Sequence, residues 1–349
     1  MKRFLIKILL FVILLLIPFG YYLCFLHPHF QKLADIGNYN LSSLGFILFD
    51  EGYTKRIIEN YPEENYLLVS EYDEKVSQKE QDILTIGDSF SQPRTGSYSN
   101  YLAHITSLNV ENLPIGNIWN PFKALCSLLN GNNNLPGVII VESVERYFIE
   151  RLVELDLNQK KDLNSLEKEI EFIREKKTSE LQRLIERTSD YYRNIFTIEE
   201  KRPVRHLKLN KELFSCKGAE KDFYFYYEEI TVTNTINEIE IASNKLDSLF
   251  MLAEKRGIKL IVLVAADAYD VYQSYIVRNP YPKKTVLDEL SSRIENSCYI
   301  DTKYLFMPYL EQGVKDVYWC SDTHWSPVGA KIVAEEIARR LDSLDVLEK

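Results

Sequence analysis

A serine, an aspartate and a histidine in this chain have the types and settings that nucleophilic acyl transfer needs. Ser89 stands in ILTIGDSFSQ (residues 83–92), where apolar β-formers run into Gly87-Asp88-Ser89 and the chain then turns polar. A serine at a strand end either caps a helix or is a nucleophile held at a sheet edge. The second reading requires a base, an orienting acid and an oxyanion site. Of the five histidines, His27 and His29 adjoin an apolar run, His104 falls in a helical pattern and His206 in an irregular insertion. His324 remains, in YWCSDTHWSPVGA, two residues after Asp322. In an extended loop that spacing sends both side chains off the same side of the chain. Asp322 can then fix the imidazole tautomer, leaving the other ring nitrogen to take a serine proton. The plainer alternative is a loop aspartate beside a surface histidine, and the strand-end serine is what favours chemistry.

These residues need elements to hold them, and the chain supplies an α/β rhythm. Buried strands are expected in DILTIGDS, NVENLPIGN, GVIIVESVE and IKLIVLVAA, with helices in GSYSNYLAHITSL, WNPFKALCSLLNG and INEIEIASNKLDSLFMLAEKRG, the last closed by Gly257. SCYIDTKYLF reads as a short strand and a loop. The final helix has Ser326 as its N-cap and Pro327 at its first position. Residues 150–232 interrupt the rhythm with a charged helical stretch and two strands around a Gly-containing turn. The pattern implies an α/β fold: a doubly wound, mostly parallel sheet in an α/β/α sandwich, with function at the carboxyl ends of its strands.

Composition narrows the class. The formal net charge of −9 argues against a nucleic-acid partner. The five cysteines have neither CxxC nor Cys/His ligand spacing, which argues against a zinc site, and no metal or cofactor is implied. Lys2, Arg3 and Lys7 precede an uncharged run at 8–26. At a rise of about 1.5 Å per residue, that run spans roughly the hydrocarbon thickness of a bilayer. No small-x-small cleavage site follows it. The reading is a cytoplasmic end at 1–7, a transmembrane signal anchor at 8–26, a stalk and irregular lead-in at 27–80, and a catalytic body at 81–345 outside the cytoplasmic membrane. There Cys126, Cys216, Cys298 and Cys320 either form disulfides or stay buried thiols.

With these residues in view, the chain resembles a family. GDSF is similar to the Gly-Asp-Ser-Leu signature of SGNH (GDSL-type) hydrolases, and DTHW resembles the alginate-type polysaccharide O-acetyltransferase branch. VIIVESVERYF, with Glu142 and Arg146, and VLVAADAYDVY are similar to further segments of that branch, although its usual Pro and Lys are absent from the second. The order also differs: the alginate enzymes place the Asp-His segment before the serine, and here it follows. The resemblance implies oxyanion donors from the amides of Ser89 and Gly116. The third donor, an Asn, is replaced by Ser143, which leaves Asn117 and Arg146 as alternatives. Glu142 and Arg146 otherwise read as a buried structural pair. Tyr98 and Trp325, with Tyr318 and Trp319, read as a carbohydrate platform or as core.

What the resemblance implies for function is a membrane-anchored O-acetyltransferase. Its acceptor would be a cell-surface or secreted polysaccharide, and a multi-spanning membrane acyltransferase would supply the acetyl group. An extracytoplasmic carbohydrate acetyl esterase uses the same first half-reaction and is the alternative. A non-catalytic polysaccharide-binding assembly subunit is the reading from a different class.

Overall fold

The computed structural model describes residues 52–61, 67–68, 82–92, 96–115, 120–131, 134–160, 203–320, 322–344 and 346, with Val12 and Leu16 as isolated positions. In chain order the elements are α1 (Gly52–Asn60), β1 (Leu67–Leu68), β2 (Ile83–Gly87), α2 (Tyr98–Thr106), β3 (Val110–Pro114), α3 (Pro121–Asn130), β4 (Val138–Val144) and α4 (Glu145–Val153). After the interruption come β5 (Val204–Lys208), β6 (Asp222–Tyr226), α5 (Glu228–Thr231), α6 (Ile236–Glu254), β7 (Lys259–Ala265) and α7 (Ala268–Tyr272). The last are α8 (Val286–Ser291), β8 (Tyr299–Asp301), α9 (Thr302–Glu311) and α10 (Pro327–Ser343).

Six strands form one parallel sheet in the order β1-β3-β2-β4-β7-β8. Every residue of β2 and β4 is buried, as expected for strands covered on both faces. Helices α1, α2, α9 and α10 pack together on one face, and α3, α4, α6 and α8 on the other. The chain leaves β2 toward β3, then crosses back to β4, so the direction of winding reverses between β2 and β4. Such a switch point opens a crevice beyond the carboxyl ends of the strands. Ser89 follows β2 directly.

Local chemistry fixes the helix starts. Asn120 accepts from the amides of Phe122 (2.9 Å) and Lys123 (3.4 Å) ahead of Pro121. Thr235 and Glu238 form a reciprocal capping box on α6. Ser326 accepts from the Val328 amide at 3.0 Å, with Pro327 next in line, as the sequence predicts.

The expected pair of strands in the interruption is the antiparallel hairpin β5–β6, which forms its own two-stranded sheet. It docks through rings: Phe223 on Tyr272 at 5.2 Å and Phe225 on Tyr269 at 5.0 Å. The charged stretch expected to be helical at 166–192 lies outside the described residues.

Two expectations need correction. The lead-in at 27–80 contains α1, which is part of the core: Tyr53 is fully buried and Ile57 nearly so. The loop expected after β8 is α9, capped by Asp301, whose carboxylate accepts from the Lys303 amide at 2.9 Å. Pro308 sits inside it, at the cost of a helix hydrogen bond.

Among the described residues, no helix is long and apolar enough to cross a membrane. The expected span at 8–26 lies outside them except for Val12 and Leu16, which are helical and exposed. Cys126, Cys216, Cys298 and Cys320 carry no disulfide.

Candidate active site

The turn after β2 is held from beneath by side chains. Gly87 is required there: a Cβ would lie 2.1 Å from Ser91 Oγ and 2.5 Å from Glu142 Oε2. Glu142, on β4, uses Oε2 to accept the Asp88 amide (3.0 Å) and the Ser91 hydroxyl (2.9 Å). Asp88 returns the connection, its Oδ2 accepting from the Val144 amide at the end of β4 and from Arg151, both at 2.8 Å. Its Oδ1 accepts from the Phe90 amide at 3.3 Å. Asn112, on β3, donates to the Ser91 carbonyl and to Thr85 Oγ1, both at 2.7 Å. The turn is thus tied to both neighbouring strands.

Full burial alone would raise the Asp88 carboxyl. The Arg151 guanidinium, the Glu142 carboxyl and the Val144 amide outweigh it and hold the group below its usual value. Asp88 is therefore an anionic anchor for the turn that carries Ser89. Ser89 itself is 9% exposed. The Asp88 amide is taken by Glu142 and those of Phe90 and Ser91 by Asp88, whereas none of these bonds uses the Ser89 amide. A donor in that position can serve an oxyanion.

The histidine arrives on a closed loop rather than an extended one. Tyr318 and Trp325 form an antiparallel bridge, the Trp319 amide donates to the His324 carbonyl (3.2 Å), and the Ser326 amide to the Val317 carbonyl (3.1 Å). Inside the loop, His324 Nδ1 lies 2.5 Å from Asp322 Oδ1, which also accepts the His324 amide at 3.0 Å. The imidazole packs on Phe90, the neighbour of Ser89, with ring centroids 4.9 Å apart. Phe90 also contacts Trp325 at 4.7 Å. The Phe90 contact thus brings the Asp322–His324 pair to the turn that carries Ser89. The Asp-x-His spacing brings the two side chains together through a tight loop, not through strand alternation.

Other expected site residues fare differently. Gly116 and Asn117 lie outside the described residues. Glu142 and Arg146 do not pair: Glu142 turns to the serine turn, while Arg146 binds Asp267 after β7. Asp267 also takes Lys284 (2.7 Å), which reaches Glu145 at 2.8 Å. Arg146 is thereby committed to a buried ion network rather than presented to a ligand. Ser143 faces Arg151 at 2.6 Å.

Tyr98 is fully buried with its hydroxyl 2.9 Å from Ser91 Oγ. Trp325 is nearly buried, its indole N–H donating to Tyr318 at 3.1 Å. Tyr318 is fully buried and donates to the Ala266 carbonyl at 2.7 Å. These three rings are core, so the expected carbohydrate platform does not form from them. Trp319 is partly buried.

Sequence reading missed Arg151, whose role depends on α4 starting directly on β4, and Tyr53, which buttresses the histidine loop. The Tyr53 hydroxyl donates to Asp316 (2.9 Å) and accepts the Cys320 amide (3.1 Å). Among the described residues, no group of His, Cys, Asp and Glu is arranged to hold a metal ion.

The turn after the central strand of this doubly wound sheet thus carries Ser89, and the C-terminal loop brings the Asp322–His324 pair against its neighbour Phe90. Residues 219–349 match the family model of the SGNH hydrolase-like domain of the acetyltransferase AlgX. That segment runs from β6 through α10 and holds Asp322 and His324, while Ser89 lies outside it. None of the curated proteins compared with the chain matches it.

Proposed function

We propose that this chain is an O-acetyltransferase of a cell-surface or secreted polysaccharide, anchored in the cytoplasmic membrane through residues 8–26, with its catalytic body outside. The observation that carries the catalytic part is Asp322 Oδ1 at 2.5 Å from Nδ1 of an imidazole seated on Phe90, beside Ser89. With Nδ1–H donated to Asp322, the lone pair of Nε2 accepts the Ser89 proton as Oγ attacks an acyl carbonyl. The Ser89 amide stabilises the oxyanion, with Gly116 and Asn117 as further candidate donors. Collapse returns the proton to the leaving oxygen and leaves an acyl-serine. A sugar hydroxyl, deprotonated by His324, then attacks the acyl-serine and restores Ser89.

The match to the AlgX domain supports a polysaccharide as acceptor, and the apolar run behind Lys2, Arg3 and Lys7 supports the anchor. Acetyl-CoA is cytoplasmic, so an extracytoplasmic site requires a membrane acyltransferase as donor.

The test uses the full chain with 4-nitrophenyl acetate, with and without an oligosaccharide acceptor. Turnover abolished in Ser89→Ala, together with acetylated sugar detected by mass, is the expected result. Hydrolysis without sugar acetylation makes the chain an esterase, and no turnover under any condition leaves a binding subunit. A reporter fused after residue 40 and active only in the cytoplasm overturns the anchor.

A further inference from the structure

The carboxyl group directly beneath the nucleophile turn has an electrostatic setting that the acyl-transfer scheme does not use. Glu142 is completely buried on β4. Its Oε2 takes two donors, the Asp88 amide and the Ser91 hydroxyl, while Oε1 has no hydrogen-bond partner among the described residues. A buried oxygen that meets no donor costs a carboxylate, with its full charge, more than it costs a neutral carboxyl.

The charged and titratable groups around it agree. From the turn, the Asp88 charge acts on the Glu142 carboxyl, whose Oε2 accepts the Asp88 amide at 3.0 Å. From α4, Arg151 binds Asp88 at 2.8 Å and Ser143 at 2.6 Å. From α2, the Tyr98 hydroxyl lies 2.9 Å from Ser91 Oγ and feels the Glu142 carboxyl, which helps to raise its own titration. On the β7 side, the residue in register with Glu142 is Leu263, fully buried and apolar. The one cation of this group therefore sits on Asp88. Two buried carboxyl groups in contact cannot both be charged at low cost, and the one with the cation keeps the charge. Burial, then the Asp88 charge, push the Glu142 group well above its usual range.

We infer that Glu142 is a neutral acid, so that the turn carrying Ser89 rests on a protonated carboxyl beside the Asp88 carboxylate. Glu142 is a positioning residue: it touches neither substrate nor the reacting atoms, and it acts by fixing the Asp88 and Ser91 main chain on either side of Ser89. Deprotonation places two adjacent charges under the turn, and their repulsion displaces Ser89 from the rim. This inference rests on the acyl-transfer reading for its kinetic consequences, but not for the protonation state.

The decisive measurement is infrared spectroscopy of the full chain at neutral pH, reading the carbonyl stretch of protonated carboxyl groups, with glutamate-selective ¹³C labelling. Other buried glutamates contribute to that region, so the Glu142 band is assigned by its loss in Glu142→Gln. Should that variant not fold, the band is assigned by its shift in Asp88→Asn. A protonated band that responds to these substitutions is expected, and the absence of any such band overturns the inference.

Kinetics give the second arm. The glutamine oxygen can keep accepting from the Asp88 amide and the Ser91 hydroxyl, so Glu142→Gln retains most of kcat and loses the alkaline decline shown by the wild type. Glu142→Leu removes the contacts and lowers kcat by about 10²-fold at similar KM. Equal losses in Gln and Leu variants overturn the positioning role. Ser89→Ala is the control: retained turnover in that variant ends the acyl-transfer reading and leaves the spectroscopic result to decide the proton.

Discussion

Asp322 Oδ1 receives both the Nδ1 side of the His324 ring, at 2.5 Å, and the main-chain amide of the same residue, at 3.0 Å. One oxygen thus fixes the ring's tautomer and the backbone that carries it. An asparagine keeps the shape but offers a neutral oxygen to the amide, or turns its NH₂ toward the ring and inverts the tautomer. Asp322→Asn is expected to lower kcat by roughly 10²–10⁴-fold with little change in thermal stability. Initial-rate kinetics on a small acetyl ester check this. Near-full activity would remove Asp322 from the role of orienting acid.

Support for the same loop comes from α1. The Tyr53 hydroxyl bridges Asp316 and the Cys320 amide, and its ring meets Trp319 edge-on at 6.0 Å. Asp316 Oδ1 also accepts the Ser215 amide at 2.8 Å, which joins α1, the hairpin loop and the histidine loop at one carboxylate. Tyr53→Phe leaves a buried amide without its acceptor, which costs about 1–3 kcal/mol. Urea unfolding should show that loss, and kcat should fall more than KM changes. Unaltered unfolding and kcat would mean that the bridge contributes nothing.

The turn that carries Ser89 gives a sharper steric test. A methyl at residue 87 meets Ser91 Oγ at 2.1 Å and Glu142 Oε2 at 2.5 Å, and both atoms are fixed by other bonds. Gly87→Ala is expected to cost about 1–3 kcal/mol through overpacking and to abolish most turnover by moving Ser89. Denaturation midpoint and kcat are the readouts. A variant with wild-type values in both would show that the turn can shift freely.

How far the sequence carried this picture depended on whether the relevant signal was local. Fully apolar runs such as 138–141 and 260–264 can only be buried parallel strands once helices alternate with them, and the Ser326-Pro327 start of α10 is written in two adjacent residues. The Asp322–His324 contact is equally local. What was not legible depends on distant partners. Tyr53 reads as one more tyrosine in a mixed lead-in until it meets Asp316, 263 positions away. Glu142 and Arg146 are one helical turn apart in sequence, but the strand-to-helix change at Glu145 separates them and sends each to another partner. Tyr98 and Trp325 look like ligand-binding rings because aromatic residues suit both sugars and cores, and only burial distinguishes the two. α9 was hidden by Pro308, whose ring argues against a helix unless its surroundings compensate.

The ion network beyond β7 predicts how stability depends on pH. Glu229 is fully buried, its two oxygens accepting the Tyr226 amide (3.1 Å) and the Tyr269 amide (2.9 Å). Burial, then the nearby Asp267 charge, push its pKa up to about 7, against the opposing pull of Arg146 and the two amides. A carboxyl raised in the folded state holds its proton longer there than in the unfolded chain. Its contribution is therefore fully present below the unfolded value of 4.5 and is lost as pH rises from there through about 7. The loss across that window is of order 3 kcal/mol for this group. Asp88, whose folded value is lowered, acts in the opposite sense, its contribution disappearing as acid protonates it. Glu229→Gln cannot titrate, so its unfolding free energy should lack the decline between pH 4.5 and 7, even though the amide satisfies only one of the two N–H donors and lowers stability overall. Urea denaturation of both proteins at several pH values gives the two slopes. Identical slopes would mean that Glu229 is already ionised throughout the window, with Arg146 as the dominant influence on it.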